Sequence, residues 1–187
     1  PDDEANTVVA RGVYDLGVGD DLSAELGASV QAGSLHDDTE SVGTRWAAAA
    51  HADVDYQDWN GKFQVTGYEY DLDSGREAVV VGAYSFFDTI PAEALTVTAG
   101  VAYTWEVAGS EVLDSVTFYN DYSLVTEKSA DLDDTFMNVT GAMFAAGDVY
   151  AYLDLILAEN QPFIGGSTAV DGDEVNARLN LNVGYYF

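Results

Sequence analysis

Three observations in this sequence predict an all-β fold, a transmembrane antiparallel up-and-down β-barrel. Segments of ten to fourteen residues alternate apolar and polar side chains with period two, the mark of strands with two unlike faces. No run of about eighteen apolar residues exists, so a membrane crossing falls to strands. Closed barrels are the strand structures that satisfy every backbone hydrogen bond inside lipid. Aromatic side chains gather at segment ends, as an interfacial belt requires: Tyr56, Trp59 and Phe63 flank one tight turn, while Trp105, Tyr150, Tyr185 and Phe187 end other segments.

In chain order the alternation covers 7–17, 22–33, 44–56, 61–70, 95–107, 114–125, 135–146, 149–158 and 175–187. Over 22–33, Leu22, Ala24, Leu26, Ala28, Val30 and Ala32 oppose Ser23, Glu25, Gly27, Ser29, Gln31 and Gly33. Over 44–56, Trp46, Ala48, Ala50, Ala52, Val54 and Tyr56 oppose Arg45, His51, Asp53 and Asp55. Leu95, Val97, Ala99, Val101, Tyr103, Trp105 and Val107 line one face of the fifth segment, and Thr96, Thr98, Gly100, Thr104 and Glu106 the other. The last segment is the cleanest, with Val175, Ala177, Leu179, Leu181, Val183, Tyr185 and Phe187 against Asn176, Arg178, Asn180, Asn182 and Gly184. Asn120 and Glu69 interrupt the apolar faces. These segments are about twice the five or six residues usual for soluble strands and match a tilted bilayer crossing.

Connections alternate in length, as barrels with tight inner turns and longer outer loops do. Val18 to Asp21, Gln57 to Gly61, Ala108 to Leu113 and Ala146 to Asp148 are short; His36 to Gly43, Glu127 to Asp134 and Glu159 to Glu174 are longer and acidic. Parity makes Leu72 to Ala94 an outer loop, although Ala78 to Phe87 has the composition of a strand. A folded loop there leaves nine spanning strands, an odd number expected of a barrel whose earlier strands lie elsewhere; a tenth strand would allow a small self-contained barrel. Residues 1–187 are therefore expected to form a single β-barrel domain or the C-terminal part of one.

Acidic residues outnumber basic ones by 33 to 6, a net charge of -27, which repels phosphate backbones and argues against nucleic-acid binding. There is no cysteine, hence no disulfide framework, Cys-ligated zinc or thiol nucleophile. His36 and His51 are the only histidines, and neither sits in a triad-like arrangement, so no catalytic residue and no enzyme activity are expected. No phosphate loop, dinucleotide fingerprint or complete calcium loop occurs. Asp131, Asp133 and Asp134, or Asp171, Asp173 and Glu174, could gather a divalent cation, but solvated loops are the simpler reading, so neither metal nor cofactor is expected. Pro1-Asp2-Asp3-Glu4 lacks a basic n-region and an apolar h-region, as expected of a processed protein or a fragment.

The polar faces carry the residues expected to line a lumen: Arg11, Asp15, Glu25, Arg45, His51, Asp53, Asp55, Lys62, Glu106, Asp121, Asp154 and Arg178. Opposed charges across a water-filled bore orient polar solutes and set ion preference; paired with each other, they would instead stiffen the wall. In the Leu72 to Ala94 loop, Val79, Val80, Val81, Tyr84, Phe86 and Phe87 are too apolar to stand in water, so the loop is expected to pack on the wall or fold into the mouth. That would bring Asp71, Asp73, Glu77, Asp88 and Glu93 near a constriction favouring cations.

The run Phe118-Tyr-Asn-Asp-Tyr122, followed by Asn138-Val-Thr-Gly141, Val149-Tyr-Ala-Tyr-Leu-Asp154 and Asn160-Gln-Pro-Phe163, resembles the C-terminal portion of Gram-negative outer-membrane porins of the phosphate-selective-porin-like group. The terminal Leu181-Asn-Val-Gly-Tyr-Tyr-Phe187 is similar to the assembly signal that ends many outer-membrane barrels. The resemblance implies a parent barrel of about sixteen strands. It does not carry phosphate selectivity across, because that chemistry needs clustered Arg and Lys. The expected function is passive diffusion of small hydrophilic solutes or ions in the outer membrane of a Gram-negative bacterium. Expected partners are those solutes, outer-membrane lipid and lipopolysaccharide, with a homotrimer as one possible assembly. The alternatives are a small structural barrel with a plugged lumen and a soluble acidic β-sandwich that binds carbohydrate.

Overall fold

The computed structural model describes residues 3–19, 21–37, 40–83 and 86–186. Eleven strands follow in order: β1 (Asp3–Gly17), β2 (Leu22–Asp37), β3 (Glu40–Tyr56), β4 (Trp59–Leu72), β5 (Ala78–Ala83), β6 (Phe86–Pro91), β7 (Glu93–Glu106), β8 (Ser115–Thr126), β9 (Thr135–Ala146), β10 (Val149–Glu159) and β11 (Asn176–Tyr185). Two three-residue 3₁₀ turns, Ser129–Asp131 and Pro162–Ile164, sit in loops. Among the described residues no helix is long and apolar enough to cross a membrane.

Nine strands form one antiparallel sheet in the order β1-β2-β3-β4-β7-β8-β9-β10-β11, an up-and-down meander. The sheet is not closed: among the described residues β1 pairs only with β2, and β11 only with β10. The closed barrel expected from the alternation is therefore not formed by these nine strands alone, because both edges keep unpaired backbone groups.

The segment from Ala78 to Phe87 joins no part of that sheet. With the residues that follow it forms a separate hairpin, β5 on β6, with Val79 opposite Ile90 and Val81 opposite Asp88. The folded loop expected over Leu72 to Ala94 is this hairpin. Tyr84 and Phe187, which the sequence places in its apolar middle and at the chain end, lie outside the described residues.

His36 to Gly43 is not the long acidic loop expected from composition. The strands extend into it from both sides, with His36 opposite Ser41, Asp37 opposite Glu40, and a register shift that leaves Val42 as an extra residue; 38–39 lie outside the described residues. Polar side chains there suggest a loop, but ladder hydrogen bonds extend wherever the partner strand supplies them. Elsewhere tight turns join strands as expected. Gln57 and Gly147 each open a two-residue connection with φ of 54° and 58°, a left-handed conformation that glycine adopts freely and glutamine does not.

Registration across the sheet keeps apolar side chains together. One row of directly opposed residues runs Tyr14, Leu26, Ala52, Phe63, Ala99 and Tyr122. Another runs Tyr103, Phe118, Ala142, Leu153 and Leu181. This face is exposed: Leu181 is 69 % accessible, Leu179 73 % and Val183 64 %. Fully buried apolar residues are few, and their main cluster lies at the long-loop end, where Leu35, Leu72, Val79 and Ala92 pack with Val42, Tyr70, Val81 and Ile90. The apolar face of the sheet is thus the exposed one.

Candidate functional site

All twelve lumen-lining candidates fall on the face opposite these apolar rows. Six of them share one row crossing all nine strands: Asp15, Glu25, Asp53, Lys62, Gly100, Asp121, Val139, Ile156 and Arg178. The adjacent row runs Gly17, Ser23, Asp55, Asn60, Ala102, Tyr119, Gly141, Asp154 and Asn180. The sheet curves around this face and encloses a hollow of about 660 Å³ reached by β1, β2, β3, β4, β7, β8 and β9, with Arg11, Glu25, His51, Asp53, Lys62 and Asp121 in its wall. A smaller hollow of about 380 Å³ gathers Asp15, Glu25, Asp53 and Asp55. Arg45, Glu106, Asp154 and Arg178 line neither.

Several of these charges are partnered. Arg45 bonds Glu4 at 2.5 Å beneath the hairpin, His51 meets Glu25 at 3.3 Å, and Lys62 reaches Asp53 at 3.4 Å. Asn60 donates to Asp53 at 2.7 Å and to Asp55 at 2.8 Å, tying two carboxylates to one amide. Asp154 is buried; Tyr119 donates to one of its oxygens and Asn180 to the other at 2.8 Å. Asp154 is thus a structural anchor rather than a free lumen charge.

Glycines opposite large polar side chains make this face possible. A Cβ on Gly27 would lie 2.2 Å from the His51 ring, one on Gly100 2.5 Å from Asp121, one on Gly141 2.5 Å from Asp154, and one on Gly184 2.1 Å from Tyr150. Tyr119, Tyr150, Tyr152, Asn60 and Asn180 belong to the same face, and reading charges alone passes over them. Glycine at the cross-strand position is the signal that could have found Tyr119 and Tyr150, opposite Gly141 and Gly184, once the register is known.

The five constriction candidates line no common hollow among those found in the described residues. Leu35 and Leu72 hold polar-face positions at the long-loop end, and the hairpin covers them with Val79. Asp73 is exposed past the end of β4, with its amide donating to the Val42 carbonyl. Asp88 accepts the Thr89 amide at 2.8 Å. The Glu77 carbonyl accepts the Ser129 hydroxyl at 2.6 Å. Glu93 stands opposite Glu69, in line with the apolar face. Neither acidic hollow is lined by any of the five.

The long loops lock together around Lys128. Its ammonium donates to the Asp133 carbonyl and to the Thr135 hydroxyl at 2.8 Å, and Thr135 in turn donates to the Asn160 carbonyl at 3.1 Å. Burial pushes the Lys128 ammonium below its usual pKa of 10.5, opposed by the carboxylates of Asp134, Asp171 and Asp133. Asp171 also accepts the Asp133 amide at 2.9 Å. Among the described residues no cluster of three or more His, Asp or Glu side chains is arranged to hold a metal ion.

No family model, curated protein or solved structure matches the chain.

Proposed function

We propose that this chain forms part of the wall of an outer-membrane porin, a passive channel for small hydrophilic solutes and ions that prefers cations. The observation that carries this reading is the division of one curved nine-stranded sheet into an exposed apolar face and a concave polar face. An exposed apolar area of that extent is a liability in water and an asset in hydrocarbon. The strands, of ten to seventeen residues, are long enough for tilted bilayer crossings.

Insertion in lipid requires both sheet edges to be hydrogen-bonded, so the proposed barrel is completed by strands beyond these nine. The resemblance to phosphate-selective-porin-like proteins fits that larger barrel without their anion chemistry. Cation preference rests on Asp15, Glu25, Asp53 and Asp55 standing around one hollow, where Lys62 pairs with Asp53 and His51 meets Glu25.

Full-length protein in planar bilayers tests the reading. Discrete conductance steps are expected, with a reversal potential in a salt gradient that shows cation preference. Asp15→Asn combined with Asp55→Asn should weaken the preference, and raising salt toward 1 M should weaken it further as the Debye length shrinks to about 3 Å. Folded protein that inserts without conductance, or conducts anions preferentially, would overturn the proposal.

A further inference from the structure

A third hollow of about 440 Å³ opens beside the acidic ones, with Tyr119, Tyr152, Met143, Asp121, Lys62 and Gly100 in its wall. Asp121 is exposed there and makes none of the hydrogen bonds or ion pairs found among the described residues. Its carboxylate lies over the glycine opposite it, where a Cβ on Gly100 would come within 2.5 Å. Lys62, across that same glycine, turns to Asp53 at 3.4 Å, and no ion pair joins it to Asp121 among the described residues.

The other wall is soft and electron-rich. Tyr119 and Tyr152 lie with ring centroids 6.4 Å apart and planes at 65°, and Met143 borders the same hollow. The Tyr119 hydroxyl donates to the Asp154 carboxylate, which adds electron density to its ring and strengthens the attraction of the ring face for a cation. A carboxylate facing two phenol rings and a thioether suits a cation that is both charged and apolar at its surface. Alkali ions hold their hydration too strongly to gain from aromatic contact, and a neutral sugar leaves the carboxylate charge unanswered.

We propose that this hollow binds an alkylated ammonium group, with Asp121 as counter-ion and Tyr119 and Tyr152 as cation–π partners. The proposal rests on the reading of this face as a solute path, and it names the class of solute that path retains.

Tetramethylammonium chloride titrated into full-length protein in detergent, followed by calorimetry at constant ionic strength, is the test. Saturable binding is expected, absent for potassium chloride and for methyl glucoside. Asp121→Asn and Tyr152→Leu should each weaken it roughly tenfold, while Lys62→Gln, which removes a like charge from the wall, should tighten it. Heat-modifiable migration on gels identifies folded variants, and Asp121→Glu, which keeps the charge, should retain binding if Asp121→Asn fails to fold. No saturable binding, equal binding by folded Asp121→Asn, or binding of methyl glucoside alone overturns the site. Because calorimetry does not read conductance, a cation-selective channel without this binding defeats the inference only, and binding without conductance defeats only the channel.

Discussion

Gly141 shows how much one missing side chain carries on the polar face. Asp154 and the Tyr119 ring both occupy the space its Cβ would need, within 2.6 Å, and Asp154 is buried with both oxygens engaged. Gly141→Val should therefore destabilise the protein by about 1–3 kcal/mol through overpacking. Gly61→Ala, where a Cβ meets nothing within 4 Å, should change little; equal midpoints in urea unfolding would refute the contrast. The face of each charged residue was legible in the sequence, because period two assigns it without knowledge of neighbours. Its partner was not. The Tyr119–Asp154–Asn180 set depends on cross-strand register, which the pairings of β8 with β9, β9 with β10 and β10 with β11 fix.

At the scale of an element, β11 gives the sharpest comparison. Leu181 and Asn182 are sequence neighbours on opposite faces, both exposed. Leu181→Arg places a charge toward hydrocarbon and should cost roughly 2–4 kcal/mol near the midplane, whereas Asn182→Arg should cost far less. Asn180 is the wrong control because it donates to Asp154. Unfolding in lipid vesicles reads both, and equal losses would place β11 in the wrong environment. The loop clasp around Lys128 makes a second prediction. Its proton is held less tightly in the folded protein than in the unfolded chain, so between its lowered value and 10.5 the unfolded chain binds more protons. Stability should thus rise with pH through that alkaline window. The rise should shrink in Lys128→Gln, and identical pH profiles of the unfolding midpoint would refute it. Strand identity was legible from alternation and length over most of the sheet. The exceptions were 36–43, where polar composition hid ladder pairing, and 78–91, where one apolar run became two short strands.

For the whole molecule, what the sequence left open is closure. Alternation specifies two faces but not how many strands share them, and the nine here leave two free edges. The placement of the loop carboxylates was equally beyond reach, since Leu35 and Leu72 draw the hairpin onto the rim and leave Glu93 beside Glu69. The proposed function requires that one face meets hydrocarbon and the other meets water. The chain has no cysteine, so single cysteines at Val101, Leu181, Thr98 and Asn182 report each face without background. Reaction of full-length protein in vesicles with a charged, membrane-impermeant maleimide tests the claim most directly. The account predicts rapid labelling at Thr98 and Asn182 and protection at Val101 and Leu181, with all four reacting once the protein is unfolded; equal labelling on both faces in the folded protein would contradict it.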